Sequence, residues 1–185
     1  MKCDCILAGV GGQGVLSIAA IIAQAAVNEG FIVRQSEVHG MAQRGGAVLA
    51  HLRLSSEAIP GDMVPRGGAA LIISMEPLES LRYLSWLSPE GALVTAAEPL
   101  INIPDYPDLD EIHAAVKKLP KHRLVEATAL AKEAGLARAV NMVMVGAASP
   151  YLPIKTESLE KTIETMFASK DPEANKKAFK LGAGA

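Results

Sequence analysis

The chain has 185 residues, half of them hydrophobic and only 4% aromatic, with a formal net charge of −2. That length suits one domain with a substantial core, and a surplus of small aliphatics over aromatics points to an α/β protein. The lysine clusters (Lys117, Lys118, Lys121; Lys176, Lys177, Lys180) lack interleaved aromatics, which argues against nucleic-acid binding, and no apolar run is long enough to cross a membrane.

In chain order, "CDCILAG" reads as a buried strand ending at Gly9. The alanine-rich stretch that follows is a helix, apolar almost all round and stopped by Gly30, so neighbours must cover most of it. "FIVRQSEV" is a second strand. "GAVLAHLRLS" alternates Val48, Ala50, Leu52, Leu54 against Leu49, His51, Arg53, Ser55, the pattern of a half-exposed strand. A loop with two prolines and three glycines leads into "AALIIS", an interior strand.

Leu78, Leu81, Leu84 and Leu87 then mark one stripe of a helix that Pro89 and Gly91 should end, before the strand "ALVTAA". The Pro-rich "EPLINIPDYPDLDEI" carries the chain over the surface, and "RLVEA" returns it as the last strand. Thr128 is placed to cap the helix "ALAKEA", and "ARAVNMVMVGAA" forms another apolar helix. Thr156 caps "ESLEKTIETMF", whose stripe is Leu159, Ile163, Met166 and Phe167, and Asp171-Pro172 opens "EANKKAFK".

The expected architecture is three-layer α/β: a mostly parallel, Rossmann-like sheet with helices on both faces over residues 1–150, and residues 151–185 as a C-terminal helical extension of the same domain. Glycine arrives too early in the N-terminal stretch for a secretory signal, so the expected location is cytoplasmic. Cys3 and Cys5 fall on one side of the first strand, as two core thiols would. An iron–sulfur cluster usually takes four thiolates, so this chain cannot hold one alone, and no metal site is expected.

Gly9-Val10-Gly11-Gly12-Gln13-Gly14 satisfies G-x-G-x-x-G between a strand and a helix. Glycines there let the chain turn tightly and bring N–H groups to an anion at the positive end of a helix. In a dinucleotide fold an acidic residue should follow about 20 positions later to hold a ribose. Arg34 stands near that place and Glu37 a little beyond, and Gln13 adds hydrogen-bonding capacity inside the loop. A nucleotide cofactor, another anion or coenzyme, and close protein packing all remain open.

The second polar cluster, Glu37-Val38-His39-Gly40-Met41-Ala42-Gln43-Arg44-Gly45-Gly46, follows the second strand, which sets it on the same carboxyl edge of the sheet as the glycine loop. Arg44 can pair with Glu37 or hold a carboxylate or phosphate, and Gly45-Gly46 admits a second backbone. His39 is a candidate base without a nucleophile at a recognisable spacing. The alternative is a polar network that orders a loop against a neighbouring subunit. Asn141, inside an apolar helix, needs a partner for its amide, either a backbone loop or another chain.

Together, Gly9-x-Gly11-Gly12-Gln13-Gly14, Gln43-Arg44-Gly45-Gly46 and Asn141-Met142-Val143-Met144-Val145-Gly146-Ala147 resemble the gamma-type domain of the 2-oxoacid:ferredoxin oxidoreductases, over roughly residues 1 to 170. "EVHGMAQRGG" is more similar to the indolepyruvate branch, the beta subunit of its enzyme, than to the pyruvate branch. The resemblance implies oxidative decarboxylation of an aryl pyruvate to an acyl-CoA, with electrons passed to ferredoxin. It implies that thiamine diphosphate and iron–sulfur clusters sit on a larger alpha subunit, that coenzyme A is a substrate of the complex, and that this chain alone binds no cofactor. The second cluster would then be a docking and site-completing loop. A stand-alone NAD(P)-dependent reductase and a purely structural assembly subunit are the competing readings.

Overall fold

The computed structural model describes residues 1–37 and 45–185. Six strands form one sheet in the order β2-β3-β1-β4-β5-β6. They are β1 (Lys2–Val10), β2 (Ile32–Glu37), β3 (Ala47–Ser55), β4 (Ala69–Ser74), β5 (Leu87–Ala96) and β6 (His122–Val125). β1 pairs parallel with β4, β4 with β5 and β5 with β6, whereas β3 runs antiparallel to both β1 and β2. Five strands therefore share one direction and β3 alone opposes them. The sheet is mostly parallel, with helices on both faces, as expected.

One face carries the main core. Cys5 and Leu7 of β1, Leu52 and Leu54 of β3, and Leu71 and Ile73 of β4 lie under α1 (Val15–Asn28), α4 (Ala127–Glu133), α5 (Val140–Ala148), α6 (Thr156–Met166) and α7 (Pro172–Gly184). α1 buries Ile18, Ile21, Ile22, Ala25 and Ala26, the broad apolar surface that its composition dictates. α5 and α7 cross at glycines: a Cβ on Gly146 would stand 2.0 Å from the carbonyl oxygen of Phe179, and one on Gly182 would stand 1.9 Å from that of Val143. Only hydrogen side chains permit that approach, and it fastens the C-terminal helix to the core.

The opposite face is smaller. Ile6, Ile72 and Leu93 pack there under Val116 of α3 (Leu109–Lys117) and Leu81 of α2 (Pro77–Arg82). β3 departs from expectation on this side. His51 and Arg53 alternate outward from the main core as read, yet both are buried. Asp4 and Arg53 are directly opposed across β1 and β3, and the guanidinium donates from Nε and Nη2 to both Asp4 oxygens at 2.9 and 3.2 Å. Nη1 donates to the carbonyls of Pro60, Gly61 and Met63, so the Pro/Gly-rich loop is strapped across the strand.

Other boundaries shift for local reasons. The leucine stripe does not extend one helix to Leu87: α2 stops at Arg82, a 3-10 turn covers Leu84–Trp86, and Leu87 opens β5 opposite Ala69. Pro89 and Gly91 are absorbed in a register shift of β5 between its pairs with Ala69 and Leu71. "PDLDEI" is not all loop, because Asp108 accepts from the N–H groups of Asp110 and Glu111 and starts α3. Thr128 and Thr156 do not cap. α4 begins after Glu126 and α6 after Lys155, which leaves both threonines inside the first turn. Asp171 does cap α7, accepting from Ala174 N–H at 3.1 Å. In α6, Leu159 and Ile163 are buried, Phe167 is half-buried and Met166 is exposed.

Candidate functional site

Four segments meet at the carboxyl edge of the parallel strands. β1 ends in the glycine loop, β2 ends at Glu37, β4 ends at Met75-Glu76, and β5 ends in the stretch that begins with Ala97-Glu98. β3 enters from the same edge, with Ala47 opposite Val10 and Ala50 opposite Glu37.

The glycine loop is tied inward by Gln13. Its Oε1 accepts from the N–H of Val10 at 2.7 Å, and its Nε2 donates to the carbonyl of Met75 at 3.1 Å. The side chain thus bridges the ends of β1 and β4. A Cβ on Gly9 would meet Gln13 Oε1 at 2.9 Å, so glycine at that position makes room for the bridge. Gly11 is committed as well, donating to Gly46 O at 2.9 Å and accepting from Gly45 N–H at 3.4 Å. The glycine loop and the Gly45-Gly46 end of the second cluster therefore meet through two backbone hydrogen bonds.

Gly14 has φ +80° and forms the N-cap of α1, and a Cβ there would lie 3.3 Å from Nδ2 of Asn141. Asn141 is half-buried in the first turn of α5, where its Oδ1 accepts from the N–H of Met142 at 3.1 Å. The N-termini of α1 and α5 consequently adjoin, and their partial positive charges add at the rim. Among the described residues, the N–H groups of Gly12, Val15 and Leu16 have no hydrogen-bond acceptor, whereas those of Ser17 and Ile18 donate to Gly14 O. Those donors suit an anion. Glu37 is half-buried at the end of β2. His39, Gln43 and Arg44 lie outside the described residues.

Sequence reasoning passed over several rim residues. Glu76 is buried and N-caps α2, its carboxylate accepting from the N–H groups of Glu79 at 2.8 Å and Leu100 at 3.3 Å and from the hydroxyl of Tyr106. Burial first, and then the carboxylate partner, push the Tyr106 phenol well above its usual range, so it stays a donor. Asn102 donates to Gly45 O at 2.6 Å and joins the Pro-rich stretch to the second cluster. Glu98 accepts from Thr128 N–H at 2.7 Å. An acidic residue directly after each of two apolar strands, "LIISME" and "LVTAAE", was the available signal.

The cysteines stand apart, under the main core. Cys3 and Cys5 are free thiols with sulfurs 3.6 Å apart. Their mutual hydrogen bond lowers Cys3 and raises Cys5, with burial adding to the rise. Two buried thiols on a central strand do not fit an iron–sulfur cluster. Among the described residues, no group of three or more His, Cys, Asp or Glu converges to hold a metal ion, and no helix is long and apolar enough to cross a membrane.

Residues 4–185 match the family model described as pyruvate ferredoxin/flavodoxin oxidoreductase. The chain belongs to that family. It is 38% identical over 97% of its length to indolepyruvate oxidoreductase subunit IorB of Thermococcus kodakarensis, covering 94% of that protein. Against the common gamma subunit of the pyruvate/ketoisovalerate oxidoreductases of Pyrococcus furiosus it is 27% identical over 92% of the chain and 89% of the relative. The crystal structure of a keto/oxoacid ferredoxin oxidoreductase gamma subunit from Geobacter sulfurreducens superposes with a TM-score of 0.71, at 23% identity, covering 97% of this chain and 95% of the other, so the fold is that of the family's gamma subunits.

Proposed function

We propose that this chain is the subunit without cofactors of an indolepyruvate-type 2-oxoacid:ferredoxin oxidoreductase, acting in a hetero-oligomer with a larger alpha subunit. The observation that carries the reading is the identity gap: 38% to the indolepyruvate relative against 27% to the pyruvate/ketoisovalerate one, each over most of the chain. In this reading the alpha subunit supplies thiamine diphosphate and the iron–sulfur clusters, an aryl pyruvate loses carbon dioxide and becomes an acyl-CoA, and ferredoxin takes the electrons. The chain's own thiols, buried and too few, support placing the clusters elsewhere.

Within the complex, the rim built by Gly11, Gln13, Gly14, Glu37, Gly45, Gly46 and Asn141 is the face turned to the alpha subunit. His39, Gln43 and Arg44 complete the site, and Arg44 is the natural clamp for a carboxylate or phosphate. Gly12 and the first two residues of α1, Val15 and Leu16, take a phosphate of coenzyme A, which their unused N–H groups support. The Gln13 bridge weighs against the NAD(P) alternative, because the side-chain amide already occupies the inside of the loop.

Co-expression with the thiamine-dependent subunit, followed by kcat/KM for indolepyruvate, pyruvate and 2-oxoglutarate, tests the reading. Indolepyruvate should be preferred, and the alpha subunit alone should be inactive. A complex that prefers pyruvate ends the branch assignment, and a lone chain that oxidises substrate ends the subunit role. For coenzyme A, Gly12→Asp should raise KM with little change in kcat; an unchanged KM removes the phosphate role of the loop.

A further inference from the structure

Beyond the rim, a groove of about 360 Å³ opens between α5 and the turn that joins α6 to α7, lined by Arg138, Asn141, Phe167, Lys170 and Asn175. Its composition is unusual for this surface. Of the other lysines on α6 and α7, Lys176 pairs with Glu164 and Glu173, Lys180 pairs with Glu160, and Lys177 donates to the carbonyl of Glu133. Arg138 and Lys170 are exposed, and among the described residues neither side chain has an acidic or hydrogen-bonding partner. Nδ2 of Asn141 is likewise without an acceptor, since only its Oδ1 is engaged. Two cations and an amide donor thus line one groove together with the half-buried ring of Phe167.

The wall that carries Phe167 and Lys170 is held in advance. Lys170 N–H donates to Phe167 O at 2.8 Å, and the buried Asn175 donates from Nδ2 to the carbonyls of Lys170 at 2.9 Å and Asp171 at 2.8 Å. Asp171 adopts φ +57°, a left-handed conformation that few non-glycine residues take, and its cap on α7 maintains it. Asn175 therefore fixes the turn with its amide nitrogen.

We propose that this groove binds a phosphate ester attached to a flat ring, a ligand of mononucleotide class. Arg138 and Lys170 take the phosphate, the guanidinium through two parallel bonds, and Phe167 receives the ring on its face. The amide of Asn141 adds a donor where the groove borders Gly14, and the volume falls within the range of small-ligand pockets. Apart from Asn141, which it shares with the rim, the groove is made from the α4–α5 connection and the C-terminal helices, so its phosphate and ring contacts do not depend on the glycine loop or on the role proposed for it.

The test is calorimetric titration of the full chain with AMP, adenosine and inorganic phosphate separately, alongside Arg138→Gln/Lys170→Gln, Phe167→Ala and Gly12→Asp variants whose folding is checked by circular dichroism. Both cations are exposed, so the double variant should fold. AMP should bind more tightly than phosphate or adenosine, and the double variant should weaken it by about tenfold or more. Phe167→Ala should weaken AMP while leaving phosphate unchanged, and Gly12→Asp should leave AMP unchanged. No AMP binding at millimolar concentration, equal binding by the double variant, or loss only in Gly12→Asp would overturn the proposal, the last by assigning the anion to the glycine loop.

Discussion

The two faces of the sheet are held by different physics. On the main face, Leu7, Leu52, Leu71 and Ile73 meet helices through close aliphatic packing, tightened where Gly146 and Gly182 let α5 and α7 touch backbone to backbone. On the other, Asp4, His51 and Arg53 sit under a loop with little regular structure, and hydrogen bonds replace much of the apolar contact. Errors on the first face cost volume and contact, whereas errors on the second strand a buried charge. The two faces should therefore respond differently to substitution.

The largest contrast is at Arg53. Arg53→Met leaves Asp4 buried with only the Lys2 ammonium, 3.0 Å away and itself half in water, and frees three loop carbonyls. Breaking such a pair costs about 3–5 kcal/mol, while replacing both partners by apolar groups is often nearly neutral. Urea denaturation should show Arg53→Met strongly destabilised and Asp4→Leu/Arg53→Met recovering much of the loss. Equal losses in both would mean that the loop, and not the charge, holds this face.

Gly182→Ala probes the opposite face. The added methyl collides with the backbone of Val143, which cannot move without shifting α5, and overpacking of this kind costs about 1–3 kcal/mol. Because α5 and α7 also form the walls of the groove, the loss should appear as a lower Tm together with faster hydrogen exchange in α7. A Tm fall without that local exchange would place the strain elsewhere.

At the rim where the faces meet, Gln13→Ala removes the bridge between Val10 and Met75 at a cost of about 1–2 kcal/mol. Gln13→Glu should be no better, since it keeps an acceptor for Val10 but sets a carboxylate against the Met75 carbonyl. Thermal melts of the two variants would separate bridge from bulk: if Glu restores stability, the donor arm to Met75 is dispensable.

The same contrast explains what was legible in the sequence. The glycine loop, α1, β4 and the Asp171 cap announce themselves within a few residues, because their causes are local: glycine, alanine, branched aliphatics, and an Asp-Pro pair. His51 and Arg53 appear solvent-facing because alternation reports which side a residue takes and says nothing about what covers it; the cover comes from residues 60–64. Leu87 fits a helical stripe, but pairing with Ala69 decides its state, and that partner is remote in sequence. At the rim, the meeting of Gly11 with Gly45 and Gly46 follows from strand direction and was readable, whereas the contributions of Glu76, Asn102 and Tyr106 depend on how the Pro-rich stretch folds back.

The smallest effect expected is a pH dependence confined to the polar face. Nδ1 of His51 accepts from the N–H of Val64 at 3.2 Å, so in the neutral ring the proton sits on Nε2, which is buried without a hydrogen-bond partner among the described residues, and the imidazole packs in a T-shaped contact with Trp86. Burial first, and then the charge of Arg53, hold the imidazole below its ordinary value of 6.5. As pH falls through that value, the unfolded chain takes up a proton that the native ring refuses, so the unfolded state gains and stability declines; the decline levels off once pH drops below the native pKa. Urea midpoints measured between about pH 7.5 and 5.5 should fall for the wild type and fall less for His51→Gln, which retains an acceptor for Val64 without a titrating group. If the two chains lose stability in parallel, the buried ring is not the source.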